Sequence, residues 1–428
     1  MPEKKRFDLF SAVTLVFVLA SLLLMQIKYW FCMSLIRHYA AALACAWVAI
    51  AMAHRGMGRE RDEKAALAFA GWTVLASWIH GDHLLDASMY SLLLFNLPML
   101  IAFPCARRMG GFAAHAAAAF FFLVSGAMAV YSIGVSMTVG TVEWRMLQEY
   151  IGVSADYQRL QFSCHPNELA ALLLVGIGLG LWLTLRTQKR WLCALLAVLG
   201  IVMYAGIGMT GSRTVMLQSA LAGALIAAAL VMNTRMSLPK KLAASLGAGA
   251  VLFVLIYKGF EWSNLLINSL SVQLAQAESL LESRPIGADI ATLTGRTRIY
   301  KNAFVFLADK LRCIFIGTAT EYELVNLLRE TLGAYHTHNA YLEALCYYGL
   351  PGLAFAVYFS VRALWAAWRV LPARRPLADK LPAILVLALL LGTITEPYLF
   401  SVNFPVMNAA FFLCLGLAID AAKTPSQV

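Results

Sequence analysis

Apolar and polar positions alternate along the chain in long blocks. Apolar runs lie near 9–27, 38–53, 65–80, 88–105, 112–133, 167–185, 191–209, 215–232, 242–258, 346–368, 381–396 and 402–421. Several are only 16 to 18 residues long, against the roughly 20 that cross a hydrocarbon core unaided. The first run, in "MPEKKRFDLFSAVTLVFVLASLLLMQI", follows a basic start. It is too long for the apolar part of a secretory signal and lacks a small-x-small cleavage site, so it reads as a span. The pattern predicts an all-α, polytopic membrane protein with about 12 transmembrane helices.

The ninth and tenth runs are separated by a segment of mixed polarity, 259–345. Within it "SVQLAQAESLLESRP", "TGRTRIYKNAFVFLADKLR" and "EYELVNLLRETLG" each have the period of an amphipathic helix. A segment this long and this patterned is not a plain linker. The chain is therefore expected to divide into spans 1–9 (residues 1–258), a large helical loop (259–345) and spans 10–12 (346–428). No repeat or duplicated half is visible.

Composition agrees. Of 428 residues, 61% are hydrophobic and 13% charged, whereas a soluble chain would carry about a quarter charged. With the N-terminus inside, the segments on that side (1–8, 54–64, 106–111, 186–190, 233–241, 369–380 and 422–428) carry 20 Lys and Arg. The short loops opposite carry only Lys28, Arg37, Arg145, Arg159 and Arg213. Positive charge stays on the cytoplasmic side, so the long loop is placed outside. The net charge of +11 then reports topology and contact with anionic membrane lipids. No soluble basic domain exists to bind nucleic acid.

Three places on the external side carry candidate chemistry. Arg213, in "GMTGSRTVML", sits in a short turn at a membrane edge, on the side where cations are avoided. Near hydrocarbon a charge is costly unless used, although an Arg can also snorkel to headgroups. Arg296, in "TLTGRTRIYKNAF", follows Thr294, a candidate N-cap that would leave N–H groups facing an anion, and Arg298 is close by. His336 and His338, in "GAYHTHNAYLEALCYYGLPG", precede Asn339, a candidate cap of the tenth span. A neutral imidazole there can take a proton from a hydroxyl. A solvated helix cap is the plainer alternative. A metal reading competes as well, with His80, His83 and His165 also external, but no zinc-like ligand spacing is present. Cys164 and Cys313 both fall outside, which leaves a disulfide between them open. Glu168 and Glu396 lie near span ends.

"GSR" at 211–213, "GR" at 295–296 and "HTHNAYLEALCYYGLPGL" after a long external loop resemble the O-antigen ligase family in order and topology. That family is grouped with O-antigen polymerases and protein O-oligosaccharyltransferases among GT-C type membrane glycosyltransferases. The resemblance spans the chain in topology but only about forty residues in motif. It implies transfer of a polysaccharide from undecaprenyl diphosphate to the lipid A–core oligosaccharide, on the periplasmic face of the bacterial inner membrane, without cofactor or metal. It further implies His338 as the base and Arg213, Arg296 and Arg298 around the diphosphate, whose developing charge calls for aimed cations. His336, Asn339, His165 and Asn167 are expected to assist, the last two on the donor side. An O-antigen polymerase is the nearest alternative. A 12-span secondary transporter is a further one, although related halves and charges at mid-span are missing.

Overall fold

The computed structural model describes residues 60–80, 110–138, 166–275, 293–318, 336–400 and 404–424, with 16, 19, 20, 102, 103, 106, 326–328 and 330. Eleven helices carry the description: α1 (Arg61–Ile79), α2 (Gly110–Thr138), α3 (Pro166–Thr187), α4 (Arg190–Thr210), α5 (Arg213–Met232), α6 (Leu238–Ala275), α7 (Leu293–Asp309), α8 (Leu311–Ile316), α9 (Ala340–Val370), α10 (Leu377–Gly392) and α11 (Pro405–Lys423). No strand occurs among the described residues.

Seven of these helices are long and apolar enough to cross a membrane: α2 to α6, α9 and α11. Each coincides with a predicted span. Two further predicted spans fall on α1 and on α10, whose 16 residues are short for a crossing. The runs at 9–27, 38–53 and 88–105 lie almost wholly outside the described residues. The molecule is a multi-pass membrane protein.

Helices α2, α3, α5, α9, α10 and α11 pack into one core, with α3 and α11 the most enclosed. Helix α6 lies at its edge and exposes Leu242, Leu246, Val251, Val254 and Leu255, the apolar surface that lipid would cover. Asp62 of α1 is buried and takes both Nε and Nη2 of Arg362 in α9, at 2.7 and 2.8 Å. A bidentate pair of this kind satisfies two charges that burial would otherwise penalise.

The predicted helix after Thr294 forms as α7, but it begins at Leu293. Thr294 therefore sits inside the first turn and is not the N-cap. The apolar face of α7 (Ile299, Ala303, Phe306, Leu307) has helical spacing and joins Cys313, Leu328, Leu342 and Cys346 in a second, small core. Cys313 is buried there, while Cys164 lies outside the described residues. The other two helical patterns of the long loop fall mostly outside them as well. The loop's start at 259 does not mark a break, since α6 runs on to Ala275.

Helix α9 is two helices joined at Gly349, whose φ of 66° interrupts it, with Pro351 following. Breaking a helix frees carbonyls. Here the Cys346 carbonyl takes the Thr318 N–H at 2.8 Å and the Tyr348 carbonyl takes the Trp72 indole N–H at 2.9 Å. The break lets the α8 end pass so close that a Cβ on Gly349 would stand 2.4 Å from the Phe315 carbonyl oxygen. Gly349→Val should therefore cost at least about 2 kcal/mol, seen as a lowered Tm in detergent. Gly247→Val, at a site with no atom within 4 Å, should not. Equal melting of the two variants would refute the tight crossing.

Candidate active site

The strap 336–339 leads into α9, and several contacts fix it. Asn339 is the N-cap: its side-chain oxygen accepts from the Tyr341 and Leu342 N–H groups at 3.0 and 2.9 Å. Glu343, fully buried one turn inside the helix, accepts from the Thr337 N–H at 2.9 Å and the Thr337 hydroxyl at 2.7 Å. His338 between them has φ 53°, a left-handed conformation costing a non-glycine residue about 1 kcal/mol or more. Such a residue persists where its surroundings over-determine it. The Tyr300 hydroxyl lies 3.2 Å from the His338 carbonyl and 3.3 Å from the Ile394 carbonyl. Burial raises the Tyr300 phenol above its ordinary value of 10.0, against the opposing pull of Arg296. It stays protonated and keeps its hydrogen for one carbonyl or the other.

The turn after α10, "TITE" at 393–396, reaches four other elements with four successive residues. The Thr393 carbonyl accepts from the Ala340 N–H at 2.9 Å. The Ile394 carbonyl accepts from the Asn339 amide at 3.1 Å. The Thr395 hydroxyl meets that of Thr214, next to Arg213, at 3.0 Å. Glu396, 1% exposed, accepts at Oε1 from Arg296 Nη2 at 2.9 Å and from Asn167 Nδ2 at 2.8 Å. Its Oε2 faces His338 Nδ1 at 3.5 Å, an electrostatic approach rather than a good hydrogen bond.

One carboxylate thus gathers Arg296, Asn167 and His338, and the His336 ring stands 4.1 Å from the His338 ring, edge to face. Arg213 is the first residue of α5, half-buried, after Gly211 ends α4 in the left-handed conformation. The turn there is shorter than the predicted 210–214. Arg298 is exposed on α7. Two helical positions beyond Arg296, it points about 200° around the axis and has no described contact with this cluster. His165 lies outside the described residues.

Residues 200–357 match the family model of O-antigen ligase. Over this segment, which is less than half of its length, the chain is similar to the O-antigen ligase family. No curated protein matches it. The matched ligase segment holds Arg213, Arg296, Arg298, His336, His338 and Asn339, and this is a ligase- or polymerase-like glycosyltransferase family. Asn167 and Glu396 lie outside the match and enter the cluster only through the fold.

His336, His338 and Glu396 bring ligand atoms within 4.8 Å of one another, which suggests a cation site. The donor set argues otherwise. The charge on Glu396 is already met by the Arg296 guanidinium, and a divalent ion beside that guanidinium would be repelled. The arrangement is better suited to an anion near Arg296 and a proton at His338.

Glu396 was not among the expected site residues. A signal was present: it is the only charged residue between Lys380 and Asp420, a stretch otherwise apolar or neutral. An ionisable group isolated in such a run marks function by default.

Proposed function

We propose that the protein is an O-antigen ligase, which transfers a polysaccharide from undecaprenyl diphosphate to a sugar of the lipid A–core on the periplasmic face of the bacterial inner membrane. The observation that supports this best is the meeting of a guanidinium and an imidazole at one buried carboxylate, within a chain whose residues 200–357 match that family's model. Arg296 and Arg213 hold the diphosphate, with Arg298 at the entrance. His338 takes the proton of the acceptor hydroxyl. Its Nδ1 is turned toward Glu396, so the accepting atom is Nε2.

The step balances without a cofactor or metal. The acceptor oxygen bonds to the anomeric carbon as its proton passes to Nε2. The bond from that carbon to the diphosphate oxygen breaks, and the electron pair leaves with undecaprenyl diphosphate. Attack from the face opposite the leaving group inverts the anomeric centre. Cations pre-aimed at the departing oxygen lower the barrier because they need no reorganisation as charge develops.

Placement along the bilayer supports the periplasmic side. Arg213 starts α5. At the other end Lys380 caps α5 through the Ala229 carbonyl (3.2 Å) and the Asn233 side chain (2.9 Å), and Lys241 caps it through the Met232 carbonyl (3.0 Å). Twenty residues of α5 separate the two ends by about 30 Å, the thickness of the hydrocarbon core. The Lys-rich end is the cytoplasmic one by the charge rule.

The test is a reconstitution: purified protein, undecaprenyl-diphosphate glycan and lipid A–core should yield a larger lipopolysaccharide. Joining donor units to one another instead would make it a polymerase, and neither product would refute the reading. In a background lacking the native cysteines, a Ser269→Cys protein should react with an impermeant thiol reagent from outside and an Ala373→Cys protein should not. Reversed labelling would remove the site from the periplasm.

A further inference from the structure

We infer that Glu396 is the positioning residue that holds the donor-side cation and the acceptor-side base in a single geometry. The inference rests on the ligase reading and adds a residue that lies outside the matched family segment.

The two carboxylate oxygens divide the work. Oε1 accepts from Arg296 and Asn167, which come from α7 and α3. Oε2 faces the ring of His338 on the strap before α9. The backbone beneath is fixed: the Glu396 N–H donates to the Gly392 carbonyl at 2.8 Å, and Pro397 restricts the residue before it. The carboxylate is therefore a rigid post rather than a mobile chain.

The other charged and titratable groups near His338 have different engagements. Glu343 accepts from the Thr337 N–H and hydroxyl, so its hydrogen bonds set the strap, and it acts on His338 only through space. His336 stacks edge to face with the ring. Tyr300 reaches the backbone carbonyl of His338. Arg296 faces the other carboxylate oxygen. Of the described carboxylates, Glu396 is the one within ion-pair distance of Nδ1, at 3.5 Å.

This arrangement has two consequences for the reaction. A carboxylate beside Nδ1 fixes which ring nitrogen carries hydrogen and stabilises the imidazolium that forms when Nε2 takes the acceptor proton. Arg296 has five N–H donors and spends one on Glu396, so the rest of its fork remains for phosphate oxygens. A distance of 3.5 Å to Nδ1 is ordinary for such a pair before substrate draws it in.

The test is a two-background comparison in the reconstituted ligation assay with full-length protein. Glu396→Gln keeps an oxygen to accept from Arg296 and Asn167 but loses the charge. Its kcat should fall at least about tenfold while the donor KM changes less than about threefold. Introduced into His338→Ala, and followed in long incubations, the same change should cause no further loss, because its effect passes through His338. A purely structural glutamate would cost the same factor in both backgrounds, and that result would overturn the assignment. So would a Glu396→Gln enzyme equal to wild type. If Glu396→Gln cannot be purified folded, Glu396→Asp keeps the charge and draws it back by one methylene. The part of its loss that acts through Arg296 should persist and the part that acts through His338 should vanish, so the loss should be smaller in the His338→Ala background, and an equal loss in both would overturn the assignment. A wild type that does not ligate refutes the ligase reading and this inference with it. A wild type that ligates while Glu396→Gln behaves normally refutes only the inference.

Discussion

His338→Ala is expected to lower ligation at least about a hundredfold, the usual loss of a general base, with the protein inserted and donor binding retained. His336→Ala should be milder. The asymmetry follows from the strap. His338 is held by its own left-handed backbone, by the Asn339 cap beside it and by Tyr300 on its carbonyl. Its ring faces Glu396, whereas the His336 ring packs edge to face on His338 and lies 6.3 Å, centroid to centroid, from Phe404. A metal site would forecast differently. Both histidines would then be ligands, both substitutions would be severe, and a chelator would reproduce them. Ligation should therefore be measured with and without EDTA. Inactivation by EDTA reversed by zinc, or normal ligation by His338→Ala, would sink the assignment of the base.

Much of this fold is visible in the sequence because its signals are local. A long apolar run bounded by basic residues carries its own evidence, so the seven membrane-capable helices fall where the runs do. The Asn339 cap is local too, since an Asn just before an apolar helix leaves few other readings. The helical period of 299, 303, 306 and 307 predicts an apolar face on α7, and that face packs. What fails locally is position by a residue or a turn. Helix α7 starts before Thr294, and α9 starts at Ala340 and breaks at Gly349, where "YYGLPG" alone gives the warning.

The site is less legible because its contacts cross the chain. Glu396 lies 229 residues from Asn167 and 100 from Arg296, and no spacing rule joins partners so far apart. Sequence reasoning names the two ends of the chemistry, Arg296 and His338, from residue type and side of the membrane. It does not supply the carboxylate between them. The Thr214–Thr395 contact that ties the start of α5 to the same turn is equally silent, since neither threonine stands out in its run.

Arg296→Ala is expected to remove about 3 kcal/mol of transition-state stabilisation, on the order of a hundredfold in rate, and to lower the Tm as well. The second effect arises because Glu396, its side chain 2% exposed, loses the guanidinium at 2.9 Å and keeps only Asn167 and the more distant His338. A buried carboxylate stripped of its counter-ion destabilises by about 2 kcal/mol or more. Arg296→Lys returns a charge but not the fork, so it should restore most of the Tm and only part of the rate. Arg213→Ala should lose ligation on a similar scale while the protein remains inserted, with partial rescue by Arg213→Lys for the same reason. The discriminating measurement pairs ligation rate with melting for all four variants. Full activity in Arg213→Ala would return that residue to contact with lipid headgroups. An Arg296→Lys enzyme that melts as low as Arg296→Ala would mean the pair with Glu396 does not hold the site together.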